Sequence, residues 1–348
     1  MAAKAIKTVL ALLLVLAVFA IVIALLTPAT TPASVPPNPN GFDDFVAATE
    51  KVVGSPASYN VMNPDQLRGL LNTNSEALTL LRLGLGRECQ VPLQYIADRS
   101  ASPTGIAQWS SMKNLYSLLQ AEAKLAENEG RTNDAVTSYL DLLRLGEQLS
   151  RGGVVIDKLV AIGAQRRALD GLNRLRSTLS DAECRRALVT LEALAARRER
   201  FSEVWKRDQM VMQQTDRRWF GIRGLLTRTL LSRQIRDLRR KMETSFEPAE
   251  AEFNLMILEL ALRRCFLYSG SYPQQLNDLA EKYLKAIPQD PFSNKGFVYR
   301  LEDTGYLLYS VGPNGKDDGG TPLSESKDKN VLDGDLVRRA NLNPGTEH

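Results

Sequence analysis

The chain has 348 residues with 44 Lys+Arg against 40 Asp+Glu, a formal charge of +4, so no imbalance of charge argues for nucleic acid as a partner. Its single histidine, His348, excludes Ser-His-Asp and Cys-His catalysis, a histidine general base and most zinc sites. Three cysteines, Cys89, Cys184 and Cys265, lie far apart without C-x-x-C spacing and read as buried free thiols, the alternative being one bridged pair with a thiol left over.

No charged residue occurs from Thr8 to Leu26, and the run from Val9 onward is apolar throughout. As a helix it spans roughly 28 Å, close to the ~30 Å hydrocarbon thickness, which predicts a transmembrane anchor over 8–26. A cleaved signal peptide is the alternative, but its apolar core runs to about 7–15 residues and ends at a clean small-x-small site, which this segment does not offer. Lys4 and Lys7 precede the segment and the first charges after it are Asp43 and Asp44. The positive-inside bias therefore places residues 1–7 in the cytoplasm and the body on the far side of the membrane. Five prolines (Pro28, Pro32, Pro36, Pro37, Pro39) among small uncharged residues make 27–41 an extended spacer.

From 42 to 246 the pattern is that of a helical body. Asn63-Pro64 and Thr73-x-x-Glu76 are helix-start signals, the second a capping box before Ala77. A helix over Ser111–Glu129 stops at Gly130, Asn133 is placed to cap a helix running to Leu149, and Gly152-Gly153 closes it. Val154–Arg176 reads as a third helix, and Ser180-x-x-Glu183 opens a fourth through Arg200. Short connections make sequential neighbours antiparallel. The pair around Gly130, with Ala126, Ala135, Tyr139 and Leu142 at packing positions, resembles one tetratricopeptide unit, although no 34-residue repeat follows. Its plain alternative is an ordinary helical hairpin. The carboxylate pairs Glu127/Glu129 and Asp317/Asp318 lack any visible partner that would separate their pKa values, and the glycines of Gly84-x-Gly86 and Gly221-x-x-Gly224 do not join a strand to a helix, so enzymatic function is not expected.

Between Arg197 and Lys241 there are 14 Lys/Arg against five Asp/Glu, interleaved with Trp205, Trp219 and Phe220. Leu225, Leu226, Leu230, Ile235 and Leu238 then recur on one helical face. A basic amphipathic helix of this kind can lie on anionic lipid or dock an acidic partner, with Trp219, Phe220, Arg223, Arg228, Arg233 and Arg236 making the contact. The alternative is a solvated face on a helix whose apolar stripe is core.

The last region, 247–348, begins with a helix over Glu250–Tyr268 that stops at Ser269-Gly270. Then come Tyr272-Pro273-x-x-Leu276-x-x-Leu279, Tyr283-Leu284, and Ile287-Pro288-x-Asp290-Pro291-Phe292. Phe297–Leu301 and Tyr306–Val311 read as strands joined by Asp303-Thr304-Gly305, and Gly312-Pro313-Asn314-Gly315 closes the second. The prediction is a small α+β module, a helix laid on a short antiparallel sheet, followed by an acidic C-terminal loop.

This ordered string of landmarks, from Glu250 to about Gly320, resembles the C-terminal globular part of the major pseudopilins of type II secretion systems. The match covers about a fifth of the chain. Two departures are large: no leader signal of pseudopilin type precedes the anchor, and more than 200 residues separate it from the matching helix. The chain is therefore not expected to enter a pilus-like fibre. The resemblance implies a calcium site after the second strand; Asp317 and Asp318 stand beside the landmark, and Asp333 and Asp335 complete a set of hard oxygen ligands, the alternative being a solvated acidic loop. It also implies a single-pass protein of a bacterial inner membrane with its body outside the cytoplasm. The expectation is thus a mainly α, non-enzymatic envelope protein, an interaction, assembly or secretion accessory with a protein partner. The alternatives are a membrane-surface adaptor that works through 197–241 and a carboxylate-based hydrolase without histidine.

Overall fold

The structure is a computed structural model that describes residues 35–92, 103–219, 232–303, 305–325 and 332–341. It is mainly helical with a small three-stranded antiparallel sheet. The anchor expected over 8–26 lies outside the described residues; among those described, no helix is long and apolar enough to cross a membrane.

Helix α1 (Gly41–Glu50) begins where Asn40 closes a local network: its side chain accepts from Phe42 N–H and Gln90 N–H and donates to Gln90 O. α2 (Pro64–Thr73) starts at the predicted Asn63 box, with Gln66 returning the bond to Asn63 N–H. The next expected cap is corrected. Thr73 is the last residue of α2 and its hydroxyl bonds Gly69 O, while α3 (Ser75–Leu85) starts after Asn74. Asn74 is fully buried and exchanges two hydrogen bonds with the backbone of Val53, so a tertiary contact, rather than Thr73, sets the break. Gly84 has a packing duty: a Cβ there would press on the Phe45 ring and Gly41 O, where α1 and α3 cross.

α4 (Pro103–Asn128) is longer than the Ser111 start expected, and α5 (Thr132–Ser150) follows after three residues. Gly130 takes φ +70°, Gly130 N–H bonds Glu127 O and Arg131 N–H bonds Ala126 O, which is a complete Schellman turn. Arg131 ends this turn and is itself the N-cap of α5, so Asn133 falls inside the helix and does not cap it. Ala126, Ala135, Tyr139 and Leu142 are buried at the hairpin crossing, as their spacing suggested.

α6 (Val155–Leu175) is started by two carboxylates, Asp157 accepting from Val154 N–H and Asp208 from Val155 N–H. α7 (Asp181–Ala196) opens on the Ser180–Glu183 capping box and ends four residues before Arg200. α8 (Phe201–Trp219) then begins. α9 (Ser232–Ser269) runs unbroken across residue 247, with Pro248 inside it, and ends at Gly270 with φ +74°. Its buried side chains Phe253, Met256, Ile257, Leu260 and Ala261 join one continuous core with α5, α6, α7 and the sheet.

Strands β1 (Val298–Glu302) and β2 (Gly305–Ser310) form the expected antiparallel pair, with Leu301 opposite Tyr306. β3 (Ser324–Glu325) and β4 (Leu332–Asp333) make a two-residue ladder. The third strand of the sheet, β5 (Leu336–Asn341), pairs with β2 in the region read as an acidic loop, which is a second correction. Its sequence, Leu-Val-Arg-Arg-Ala-Asn, carries no alternation of apolar and polar residues. β2 is buried along its whole length. Tyr306 and Leu308 point into the helical core, while Leu307 and Tyr309 are covered from the other face by Gly320 and its loop.

Gly171 on α6 lies under the Tyr139 ring, and an added Cβ would stand within that ring. Tyr139 cannot swing away cheaply, because its hydroxyl is held by Glu127 and Arg174. Gly171→Ala is expected to lower stability by roughly 3 kcal/mol in urea titration. Gly163→Ala on the same helix, where an added Cβ would meet Arg167 Nη1 at an ordinary contact distance of 3.8 Å, is expected to raise it by about 0.5–1 kcal/mol. Equal effects from the two would contradict this packing.

Candidate functional site

The landmarks of the C-terminal module assemble into one hydrogen-bonded unit. Tyr272 stacks on Phe266 at 4.9 Å and meets Tyr306 edge-on at 4.8 Å, and Tyr299 donates to Pro273 O at 2.7 Å. Leu276, Leu279 and Leu284 are buried beneath α9. Asp290 is the centre of the unit and was not singled out as more than a landmark. Its carboxylate is fully buried and accepts from Ser310 Oγ–H (2.9 Å), Val311 N–H (3.0 Å) and Phe292 N–H (3.1 Å), which clamps the Ile-Pro-x-Asp-Pro-Phe turn to the end of β2. Only a glycine fits at 312, which has φ +69° and touches Gly334 O.

The loop after β2 brings together three of the four aspartates proposed as ligands. Asp317 accepts from Tyr309 Oη–H (2.7 Å) and Gly319 N–H (2.9 Å), and these bonds hold its pKa below the usual carboxylate range. Asp318 accepts from Asn314 Nδ2 at 2.7 Å. Asp335 is buried and accepts from Gly320 N–H (2.8 Å) and Asp318 N–H (3.4 Å); burial raises its pKa against the pull of those two N–H groups. Asp333 lies on β4, and of its side chain nothing is described. The donors are hard oxygens of the kind calcium takes. Each described carboxylate is nonetheless turned to a protein donor, and among the described residues no group of three or more acidic, histidine or cysteine side chains is arranged to hold a metal ion. The described side chains of this set do not converge on a cation in this arrangement.

In the basic segment, Phe220, Arg223 and Arg228 lie outside the described residues, and Trp219, Arg233 and Arg236 are placed by backbone only, at the end of α8 and the start of α9. Trp205, one of the aromatics interleaved with the basic residues, is buried with Val155 and Val204. Arg207 is spent on Glu199 (2.5 Å) and Gly153 O (2.5 Å), and Arg198 on Glu250 (3.5 Å) and the face of Phe253 (4.5 Å). Part of the local excess of charge therefore serves the fold. Comparison of the chain with protein-family models, with curated proteins and with solved structures returns no match.

Two features escaped sequence reading because the groups are distant along the chain. The first is Glu259 on α9, 1% exposed, between Arg176 (3.1 Å) and Arg338 of β5 (3.4 Å). The second is a cleft of about 350 Å³ between α6, the 197–200 connection and α9. Lys158, Ile162, Gln165 and Arg198 also line a smaller cavity of about 50 Å³ behind it. Gln165 Nε2 donates to Ala249 O at 2.7 Å and closes one end. Glu127 and Glu129, read as a bare carboxylate pair, are occupied by Tyr139 and Arg174 and by Arg68 and Arg131 respectively. Cys89, Cys184 and Cys265 are buried free thiols, and burial pushes Cys89 and Cys184 up to about 12, which makes them poor nucleophiles.

Asp290→Ala is expected to lower stability by roughly 3 kcal/mol or more, because three buried donors lose their acceptor, while Asp290→Asn costs about half as much. A melting temperature unchanged in Asp290→Ala would refute the clamp. In the cleft, burial and the neighbouring Glu243 and Glu250 raise the pKa of Glu247. The folded chain then holds this proton to higher pH than the unfolded chain, and stability falls as pH rises from the ordinary glutamate value of about 4.3 through the raised one. Glu247→Gln lacks that loss, so its stability relative to the parent is expected to grow as pH rises above about 4 in urea titrations, and a constant difference would contradict it.

Proposed function

We propose that this chain is a non-enzymatic, membrane-anchored envelope protein, an assembly or secretion accessory that presents a C-terminal module similar to the globular part of type II secretion major pseudopilins. The observation that carries this reading is the unit built around Asp290. Several landmarks of the resemblance have a partner within it: Tyr272 with Phe266 and Tyr306, Asp290 with the end of β2, Gly312 against Gly334, and Tyr309 with Asp317. A string of residues matched by chance has no reason to be mutually satisfied in this way. The apolar, uncharged run over 8–26 supports a single-pass anchor in a bacterial inner membrane, with residues 1–7 in the cytoplasm. Calcium belongs to the resemblance, and no part of this reading depends on it.

The helical body supports a scaffold more than a reaction centre. Several of its charges are paired within the fold, as in Arg82–Glu122 (2.6 Å) and Arg144–Asp141 (3.1 Å). The reading in which 197–241 binds a membrane surface is the weaker one, since Trp205, Arg198 and Arg207 already pack inward.

Deletion of residues 8–26 is expected to move the chain from the alkali-resistant membrane fraction to the soluble one. Photo-crosslinkers at the exposed positions Tyr268 and Leu301 of the module are expected to capture a component of a secretion or pilus-type assembly in intact envelope, whereas one at exposed Val189 on α7 is not. Capture from Val189 alone, or of no such component, overturns the assignment.

A further inference from the structure

The cleft between α6 and α9 lies in the helical body, and nothing in the assembly reading uses it. Its walls are apolar where Ile162, Phe201, Phe246 and Ala249 face it, and Phe201 and Phe246 meet edge-on at 4.7 Å. Its size is that of a site for a small organic molecule, and charged side chains share the lining with these apolar ones. The charges around it are for the most part already spent. Glu199 is taken by Arg207 and Gly152 N–H, Arg198 by Glu250 and Phe253, and Glu243 lies 4.0 Å from Arg239.

Two charges remain. Lys158, on α6 at the junction with the inner cavity, donates to Ser150 Oγ at 3.2 Å and makes no ion pair among the described residues. An ammonium carries three donors, so two are left. Glu147, Glu199, Arg198 and Arg207 are the charged groups that act on it; the two acids only partly offset the burial that disfavours its charge. On the opposite wall, Glu247 of α9 has no cation partner among the described residues, and the charges that act on it are those of Glu243 and Glu250. No ion pair joins Lys158 to Glu247 among the described residues, so they are two separate stations in one cleft.

We propose that the cleft binds a zwitterion with an apolar body, a short apolar peptide with free termini, its carboxylate on Lys158 and its ammonium on Glu247. A charge-assisted hydrogen bond at each end fixes direction, and the side chains rest on Ile162, Phe201 and Phe246. A simple fatty acid would satisfy Lys158 and leave Glu247 without a partner. An alkylammonium would do the reverse. An ester-cleaving use of the same cleft, with Ser150 as nucleophile and Lys158 as base, is disfavoured because Ser150 is 1% exposed and its hydroxyl donates to Glu147 O at 2.9 Å.

Isothermal titration of the full-length chain in lipid nanodiscs, with empty nanodiscs as control, tests the proposal using dileucine and trileucine. The tighter of the two is expected to bind at or below about 1 mM. N-acetylation or C-amidation of that peptide should each weaken binding at least roughly tenfold. Glu247→Gln should abolish the effect of N-acetylation and leave that of C-amidation, and Lys158→Met should do the opposite; a thermal melt of each variant shows that it is folded. The peptide modifications alone decide the question if Lys158→Met fails to fold. Absence of binding by both peptides, equal binding of the blocked forms, or tighter binding of octanoate or octylammonium than of either peptide overturns it. The membrane and crosslinking results do not bear on this outcome, so the two readings fail independently.

Discussion

Glu259 is a carboxylate inside the protein, and two arginines from other elements are paired with it. Arg176 stands at the C-terminal cap of α6 and Arg338 on β5, so three elements meet at one buried charge. Removing an ion from water is expensive, and the loss is offset only when opposite charge is held close. Taking away one partner of such a group typically costs about 3–5 kcal/mol, because the charge left behind is uncompensated. This geometry fixes how the sheet lies on α9. Arg338 is opposite Leu308 in the β2–β5 register, and a slip of one residue would turn its guanidinium to the other face.

The same pair of helices explains where the cleft is. Gln165 bonds Ala249, Arg166 approaches Glu252 at 3.5 Å and Arg176 reaches Glu259, so α6 and α9 run side by side in the same direction from those contacts onward. The cleft lies before the first of them, between Lys158 on one helix and Glu243 to Glu250 on the other. Pro248 removes a helix donor at this level. Rigid contacts at one end and an apolar gap at the other are a favourable setting for a binding site, since the walls are held while the space between them is left open.

Local features of the chain were readable where short-range physics decides them. The Asn63 and Ser180 boxes, the Gly130 turn, the stop at Gly270 and the β1–β2 hairpin are each settled within a few residues of sequence, by caps, positive φ or turn residues between two strand-like runs. Thr73 and Asn133 failed for the opposite reason. A buried bond from Asn74 to Val53 moved one helix start, and a Schellman turn that ends on the next helix's own cap moved the other. β5 was missed because its pattern is irregular and its pairing is with β2, not with a neighbour in sequence.

By itself the sequence determined the class of the protein, a mainly helical chain with a small antiparallel module, while the free state of the three cysteines came from the structure. The sequence also named the aspartates of the final loop, but not what they do. Only the tertiary structure decided that Asp290 is a clamp, that Asp317, Asp318 and Asp335 are bound to protein donors, that Trp205 packs inward, and that Glu259 is a shared charge. The physical reason is that a cap or turn is set by neighbours along the chain, whereas the state of a polar side chain depends on which distant groups share its burial.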